Sequence, residues 1–391
     1  MFSNRRGFLL SSSALLAGAA HVAGAAHGMP VDYNYAAGRI HNKLRQSGSA
    51  SHPEIAWFDP REWGVEGRGF DDTKKFYDRL PMRAEGKVRD AVWQLSRHAS
   101  GISFRFRTDS PEIHVKYRLS QQRLAMPHMP ATGVSGVDLY ARDDEGRWRY
   151  VTVLKVNNQD VETRLVGGLR QTGNGDPREF MIYLPLYNGV ERLQLGVSSA
   201  ATMEPVPPRT EKPIVFYGTS IMHGACASRP GMSISAIVGR RMERPTINLG
   251  FSGNGRMEAE VGEFLVELDP CVFAIDCLPN MNAESVTSNC EPLVRQIRAA
   301  RPDTPILLVE DRVNTGAWIR AGALERHSRN QAALKRAFDN LQQAGIANLH
   351  YLESESLLGD DNEGATDGSH PSDLGMVRYA DAYESKLNEI L

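Results

Sequence analysis

The chain has 391 residues, a net charge of -2, and 41% hydrophobic and 24% charged residues. This length suggests two or three domains, and the composition is that of an ordinary globular protein. There is no basic excess of the kind that nucleic-acid binding requires, and no acidic excess of the kind that keeps a chain disordered.

Residues 1–28 have the pattern of an export signal. Arg5 and Arg6 precede an apolar, serine-containing stretch, and Ala23-Gly24-Ala25 follows as a small-residue cleavage site. The arginine pair resembles a twin-arginine signal, with a Sec signal or a retained short anchor as the alternatives. We therefore expect an exported bacterial protein, periplasmic or secreted. No later segment is apolar enough for a stable membrane span in the mature protein.

The next part of the chain is predicted to be mostly β-structure. Residues 29–54 form a short extension, and alternation of apolar and polar residues then recurs between Gly, Pro, Asp and Asn turns. The alternating stretches are 102–108, 113–119, 148–154, 180–184 and 193–197. We predict a β-sandwich over 55–205, jelly-roll-like, followed by an extended proline-rich linker at 206–212.

From residue 213 to 391 the pattern changes to short apolar runs that alternate with helical periodicity. The predicted strands are 213–217, 246–249, 271–275, 305–309 and 349–352, and the predicted helices are 234–242, 257–268, 286–300, 323–344 and 373–390. Continuous apolar strands between amphipathic helices indicate a five-stranded parallel sheet covered on both faces. Ligands bind such sheets at the carboxyl ends of the strands.

The residues at these strand ends can perform acyl transfer. Ser220 follows the first strand and can act as the nucleophile, with its own N–H facing the oxyanion. Gly253 and Asn280 follow the second and third strands and can donate to the oxyanion. His370, after the fifth strand, can act as the base that Asp367 orients.

Several of these residues also have plain structural interpretations. Ser220 can be a helix N-cap, and the segment 367–370 can be a turn before the last helix. His327 is predicted at the surface and His350 in a structural position. His223 is a weaker candidate for a substrate contact than His370 is for the base.

Two further features narrow the chemistry. Glu310 and Asp311 are adjacent, so on a strand they face opposite ways and do not form a glycosidase pair; pairing with Arg312 or Arg320 is expected instead. The four cysteines are expected to be mostly free and buried, and their spacing matches no metal site. We expect neither a metal nor a cofactor.

The ordered set Gly218-Thr219-Ser220, Ser252-Gly253, Asn280 and Asp367-x-x-His370 resembles the four blocks of the SGNH (GDSL-like) hydrolases. The resemblance implies a three-layer α/β/α, flavodoxin-like domain over 213–391. It implies a triad of Ser220, Asp367 and His370, and an oxyanion hole of Ser220, Gly253 and Asn280. Two blocks depart from the family pattern: the first reads Gly-Thr-Ser instead of Gly-Asp-Ser, and the third reads Leu-Pro-Asn-Met instead of Gly-x-Asn-Asp.

The segment Gly136-Val-Asp-Leu-Tyr140 is similar to the GxDLY motif of a subgroup with an N-terminal β-domain. The preceding loop, Met126–Met129, can belong to the core or can reach over the active site. The resemblance and the predicted architecture together favour an ester hydrolase that removes short acyl groups, such as acetyl, from carbohydrate. A lipase or phospholipase with the same triad, an acyltransferase, and a glycan-binding protein with an inert hydrolase-like domain remain alternatives. The expected partner is a small or polymeric ester; the oligomeric state is left open.

Overall fold

A computed structural model describes residues 54–355 and 357–391. The predicted export signal, and all but the last residue of the predicted extension, lie outside these residues. None of the helices within them is long and apolar enough to cross a membrane.

Residues 54–206, called the β-rich region below, form two antiparallel sheets. The elements are β1 Ile55–Phe58, α1 Asp90–Ser96, β2 Ser103–Thr108, β3 Glu112–Leu119, α2 Ala131–Val134, β4 Asp138–Arg142, β5 Trp148–Val153, β6 Asp160–Gly167, β7 Arg178–Tyr183, β8 Val190–Ser198 and β9 Met203–Val206. One sheet has the order β1-β8-β3-β6 and the other β5-β4-β7-β2-β9. Alternate residues of both sheets, such as Val115 and Phe104, enter one buried core, so the sheets pack face to face.

The proline-rich stretch after this region is less free than expected. Its beginning forms β9, which pairs with β2 and ends one residue inside the predicted linker. Further along, the Arg209 guanidinium is hydrogen-bonded to the Glu66 carboxylate. The start of the stretch is therefore part of a sheet, while the domain boundaries remain a prediction.

The second half alternates strands and helices. Its elements are β10 Ile214–Gly218, α3 Ser220–His223, α4 Ile234–Arg241, β11 Thr246–Gly250, α5 Ala259–Leu265, β12 Val272–Asp276, α6 Ala283–Ala300, β13 Ile306–Val309, α7 Ala323–Gln343, β14 Leu349–Leu352 and α8 Asp373–Ile390. All four strand pairings are parallel, in the order β11-β10-β12-β13-β14. This is the flavodoxin-like order, whose direction reverses between the first and third strands.

The strands β10 to β13 are buried on both faces because their neighbouring side chains point to opposite sides of the sheet. Val215 and Tyr217 of β10 pack on the side of α5, α6 and α7, whereas Ile214 and Phe216 pack on the side of α3, α4 and α8. Two-sided burial explains why the strands are continuous apolar runs. The predicted α/β/α fold, preceded by a β-domain, is confirmed.

Candidate active site

The carboxyl ends of the parallel strands bring the predicted nucleophile and base together. Ser220 begins α3 directly after β10, and His370 lies in the loop before α8. The Ser220 Oγ lies 2.8 Å from His370 Nε2 across 150 residues of sequence. Ser220 is 7% exposed, so it is largely shielded from bulk solvent. A hydroxyl at this distance from an imidazole nitrogen can transfer its proton to it.

His370 is oriented by Asp367 within one short loop. Its Nδ1 lies 2.7 Å from Asp367 Oδ2. The other carboxylate oxygen, Oδ1, accepts from the main-chain N–H groups of His370, at 2.8 Å, and Ser369, at 3.0 Å. Burial raises the pKa of Asp367, but these hydrogen bonds outweigh it and lower the pKa to about 2. The carboxylate is therefore ionised near neutral pH and fixes the imidazole tautomer that leaves Nε2 free to accept a proton.

The turn that carries Ser220 is fixed locally. Thr219 occupies the N-cap of α3, and its Oγ1 accepts from the N–H of Ile221 at 3.3 Å. The helix ends after one turn at Gly224, whose φ of 104° is the left-handed conformation that glycine adopts at low cost. Because Thr219 performs the capping, the Ser220 hydroxyl is available to His370 and the N-cap interpretation of Ser220 is wrong.

Arg312 anchors the loop that holds the base. Its Nε donates to the Ser369 carbonyl at 3.0 Å, and its guanidinium also bonds the Ser369 hydroxyl and the neighbouring Asp311 carboxylate. The buried His327 is the other partner of Asp311, with Nδ1 3.2 Å from Oδ2. The surface position predicted for His327 is therefore wrong, because its helix turns this residue towards the buried end of β13. Asp311 has the structural role that was expected for it.

The two remaining predicted donors lie on neighbouring strand ends. Gly253 is exposed and has a φ of 70°, and a Cβ added there would contact nothing within 4 Å. Asn280 follows β12 in a short 3-10 turn and is partly exposed. Its Oδ1 is buried and has no hydrogen-bond partner among the residues that the structure describes. The amino end is therefore the part of this amide that can donate a hydrogen bond to a bound oxyanion.

Residues of the β-rich region also reach this site. The loop Met126–Met129 is closed by mutual main-chain hydrogen bonds and anchored by the buried Met129. Its exposed His128 has its ring centroid 5.7 Å from that of His370. Cys226 donates its thiol to the His128 carbonyl at 3.4 Å. The hypothesis that this loop lies beside the active site agrees with these contacts, whereas a purely core role does not.

His223 was the weaker candidate for a substrate contact. It is 0% exposed, its Nε2 donates to the Leu186 carbonyl at 2.8 Å, and its ring stacks on Tyr187. It is therefore a structural histidine. Glu310 has a similar role, because it accepts hydrogen bonds from Tyr351 and from the Ser354 N–H.

A metal ion could be held by one group of side chains among the described residues, Cys226, Asp367 and His370, whose ligand atoms lie within 4.8 Å of one another. Two of the three are already hydrogen-bonded to each other. The four cysteines, Cys226, Cys271, Cys277 and Cys290, are all free.

Comparison with protein families gives two matches that follow each other along the chain. Residues 211–388 match the GDSL-like lipase/acylhydrolase family, and residues 55–203 match the GxDLY domain, the N-terminus of SGNH-hydrolase-type esterases. Comparison with curated proteins gives no match.

Solved structures of similar overall fold cover nearly the whole described chain. A protein described as a GDSL-like lipase from Bacteroides ovatus shares 31% identity, with a TM-score of 0.81, over 86% of this chain and 98% of its own. The salicylyl-acyltransferase SsfX3 from a tetracycline biosynthetic pathway shares 18% identity, with a TM-score of 0.66, over 87% and 96%. A family two carbohydrate esterase from Cellvibrio japonicus shares 14% identity, with a TM-score of 0.56, over 86% and 98%.

The likenesses to the acyltransferase and to the carbohydrate esterase concern the fold alone. The likeness to the GDSL-like lipase extends to sequence, over 86% of this chain and 98% of the other. Together with the family matches, it identifies this chain as a member of the GDSL-like lipase/acylhydrolase family that carries an N-terminal GxDLY domain.

Proposed function

We propose that this protein is a serine esterase that removes short acyl groups, acetyl in particular, from carbohydrate through an acyl-enzyme. The observation that supports it best is the pair of contacts from Ser220 Oγ to His370 Nε2, 2.8 Å, and from His370 Nδ1 to Asp367 Oδ2, 2.7 Å. These contacts form a nucleophile, a base and an orienting carboxylate in series.

In the proposed first half-reaction, Ser220 Oγ attacks the ester carbonyl while its proton moves to His370 Nε2. The tetrahedral oxyanion accepts from the N–H groups of Ser220 and Gly253 and from the Asn280 amide. His370 then gives the proton to the departing alkoxide, which leaves as the alcohol. Each oxyanion donor commonly lowers such a barrier by about 3 kcal/mol.

In the second half-reaction, water attacks the acyl-Ser220 ester. His370 takes a proton from that water and returns it to Ser220 Oγ, so that the free acid and the original enzyme result. Asp367 stays ionised throughout and stabilises the imidazolium that forms in both steps. A sugar hydroxyl in place of water would give acyl transfer instead.

The export signal predicted over residues 1–28, the GxDLY domain and the likeness in fold to a carbohydrate esterase support carbohydrate as the alcohol. Acetate release from a set of acetylated polysaccharides should depend on Ser220 and vanish in Ser220→Ala. Ser110→Ala, a change at a buried serine of the β-rich region, is the control and should retain activity. A Ser220→Ala variant with wild-type turnover would contradict the nucleophile.

One surface feature favours a second candidate, an esterase for longer acyl chains. The segment after β13 bonds the base loop through the Thr315 N–H and the Gly368 carbonyl, at 3.0 Å. The same segment exposes the large apolar side chains of Trp318 by 71% and Ile319 by 69%, and Leu324, at the start of α7, is 50% exposed. Exposed apolar groups beside a site can accommodate an alkyl chain.

A series of 4-nitrophenyl esters from acetate to palmitate separates the two candidates. If the enzyme acts on short acyl groups, kcat/KM falls with chain length and Trp318→Ala changes the acetate value little. If it acts on long chains, kcat/KM rises with length and Trp318→Ala lowers the values for the longer esters selectively. That second result would overturn the acetyl assignment while leaving the triad intact.

A further inference from the structure

Three side chains of the β-rich region donate hydrogen bonds to main-chain carbonyls at the strand ends that carry the site. Arg79 reaches the end of β11, Ser100 reaches the last residue of α3, and Tyr187 reaches Ser220 itself. All three are buried: Arg79 is 1% exposed, Ser100 is 0% exposed and Tyr187 is 7% exposed.

Arg79 is a cation with almost no access to water. It is 1% exposed, and burial lowers its pKa to about 9. Its Nη1 donates to the carbonyls of Asn248, at 3.0 Å, and Gly250, at 2.8 Å. Its Nε and Nη2 donate to His98 and Leu95 at 3.0 and 2.7 Å. One rigid guanidinium therefore ties the β-rich region to the last residue of β11.

That strand end leads directly into the proposed oxyanion turn. Gly250 ends β11, and Gly253 follows three residues later. The Arg79 guanidinium also lies over the ring of the intervening Phe251, 5.2 Å from its centroid. Both the carbonyl and the ring that precede Gly253 are thus held by the same side chain. The direction of a carbonyl fixes the plane of its peptide, and with it the start of the turn.

Tyr187 acts on the nucleophile in the same way. Its hydroxyl donates to the Ser220 carbonyl at 3.3 Å, and its ring stacks on His223 with centroids 4.2 Å apart. Ser100 Oγ donates to the His223 carbonyl at 2.8 Å. The first and last residues of the four-residue helix α3 are therefore both bonded by side chains from the β-rich region.

We propose that Arg79 and Tyr187 are positioning residues for the acyl-transfer site, so that the GxDLY domain is part of the active-site framework and not a separate binding module. The inference rests on the proposed function. Its physical basis is the tolerance of catalysis, which requires reacting groups to be held within about 0.5 Å of their productive geometry. Holding the Ser220 and Gly250 carbonyls restrains the main chain that carries the Ser220 hydroxyl and the main chain that leads to Gly253.

The alternative is that these bonds only join two parts of the molecule and affect stability alone. A matched pair of tyrosine variants distinguishes the two. Tyr117 is also buried in the β-rich region, and its hydroxyl donates to a main-chain carbonyl, that of Ser135, at 3.1 Å. Tyr187→Phe and Tyr117→Phe each remove one buried hydroxyl. Because the Tyr187 hydroxyl also bonds the Ser252 side chain, Tyr187→Phe should lower Tm at least as much as Tyr117→Phe.

Only Tyr187→Phe should change the chemistry. We expect its kcat for 4-nitrophenyl acetate to fall about five- to ten-fold, the equivalent of one hydrogen bond, with KM unchanged. Tyr117→Phe should keep the wild-type kcat. The pH profile of kcat should keep its shape in both, because the base is untouched. Equal kcat values in the two variants, with Tm lowered in both, would overturn the positioning role.

Arg79→Lys provides the second measurement, with Arg105→Lys as its control. Arg105 pairs with Glu66 and Glu179 within the β-rich region, 13% of its side chain is exposed, and its contacts lie away from the strand ends. Lysine cannot bond several carbonyls with one planar fork, so Arg79→Lys should lower kcat by at least about ten-fold. If Arg79→Lys does not fold, the tyrosine pair still decides. Activity that survives Ser220→Ala would remove the proposed function; Ser220-dependent activity that Tyr187→Phe leaves unchanged would remove only the positioning role.

Discussion

A buried carboxyl at the end of β12 should make the protein less stable as pH rises, and replacing it with an amide should remove this contribution. Asp276 is fully buried, and Tyr383 donates its hydroxyl to Oδ2 at 2.9 Å. Burial raises the pKa of Asp276 from its ordinary value near 3.8 to about 7. The folded state therefore favours the protonated carboxyl, whereas the unfolded chain ionises it from about pH 4 upward.

The sign and size of this effect on the free energy of unfolding follow from the linkage between proton binding and folding. A folded-state pKa above the unfolded one contributes stability that is present below about pH 4 and is lost as pH rises through about 7. A shift of about three units corresponds to at most about 4 kcal/mol of unfolding free energy. Asp276→Asn keeps an oxygen for Tyr383 but cannot ionise, so it should be more stable than wild type near pH 8. Near pH 4 the two proteins should be nearly equal.

Urea unfolding at about pH 4.5, 6 and 8 measures this directly. The free energy of unfolding of wild type should fall across this range by more than that of Asp276→Asn. Asp303→Asn, a change at an exposed carboxyl, should follow wild type. An Asp276→Asn variant that is less stable than wild type at pH 8 would refute the reasoning, because it would show the ionised carboxylate to be a favourable partner in the folded state.

Three further substitutions test the site. Asp367→Asn should lower kcat by about 10²- to 10⁴-fold with little change in KM, because an amide N–H facing His370 Nδ1 favours the tautomer whose Nε2 carries the proton. Steady-state kinetics near pH 8 measure this fall in kcat, and an unchanged kcat would contradict the proposed triad. His128→Ala should raise KM about three- to ten-fold at nearly constant kcat, since the residue lies beside the base without bonding it; an equal fall in kcat with KM unchanged would contradict a binding role. Arg312→Met should lower Tm because it leaves the buried Asp311 without its main cationic partner, at a cost of about 3 kcal/mol of unfolding free energy. It should also lower kcat because it frees the loop that carries His370. Thermal unfolding and steady-state kinetics measure the two effects, and a wild-type kcat would contradict the anchoring role.

The parallel sheet could be predicted from sequence because two-sided burial makes its strands visible as apolar runs. The β-rich region was harder to predict. β6 has a mostly exposed pattern with no regular alternation, and β4 is buried almost throughout, including its Asp138. Neither strand shows the period of two that reveals half-buried strands. β3, one of the five predicted strands, alternates strictly between buried and half-buried residues.

The contacts among Ser220, His370 and Asp367 could be predicted because strand order brings known positions of the chain to one edge of the sheet. The side chains that hold the main chain around these residues could not be predicted. Arg79 meets the Gly250 carbonyl across 171 residues, and Arg312 meets Ser369 across 57. Such contacts join a side chain to a main-chain carbonyl, which has no residue-specific signal. The burial of His327 was missed because its partner, the Asp311 carboxylate, lies on another part of the chain, after β13.

The base and its orienting carboxylate stand three residues apart, and Asp367 also accepts the main-chain N–H groups of Ser369 and His370. The hydrogen bonds that orient the imidazole are local to this turn, whereas its position relative to Ser220 depends on distant contacts such as that of Arg312 with Ser369. Mild heating or denaturant should therefore abolish turnover by widening the gap between two intact pieces, the serine turn and this acidic loop, while the imidazole keeps its carboxylate partner. Inactivation should then precede global melting and reverse on cooling.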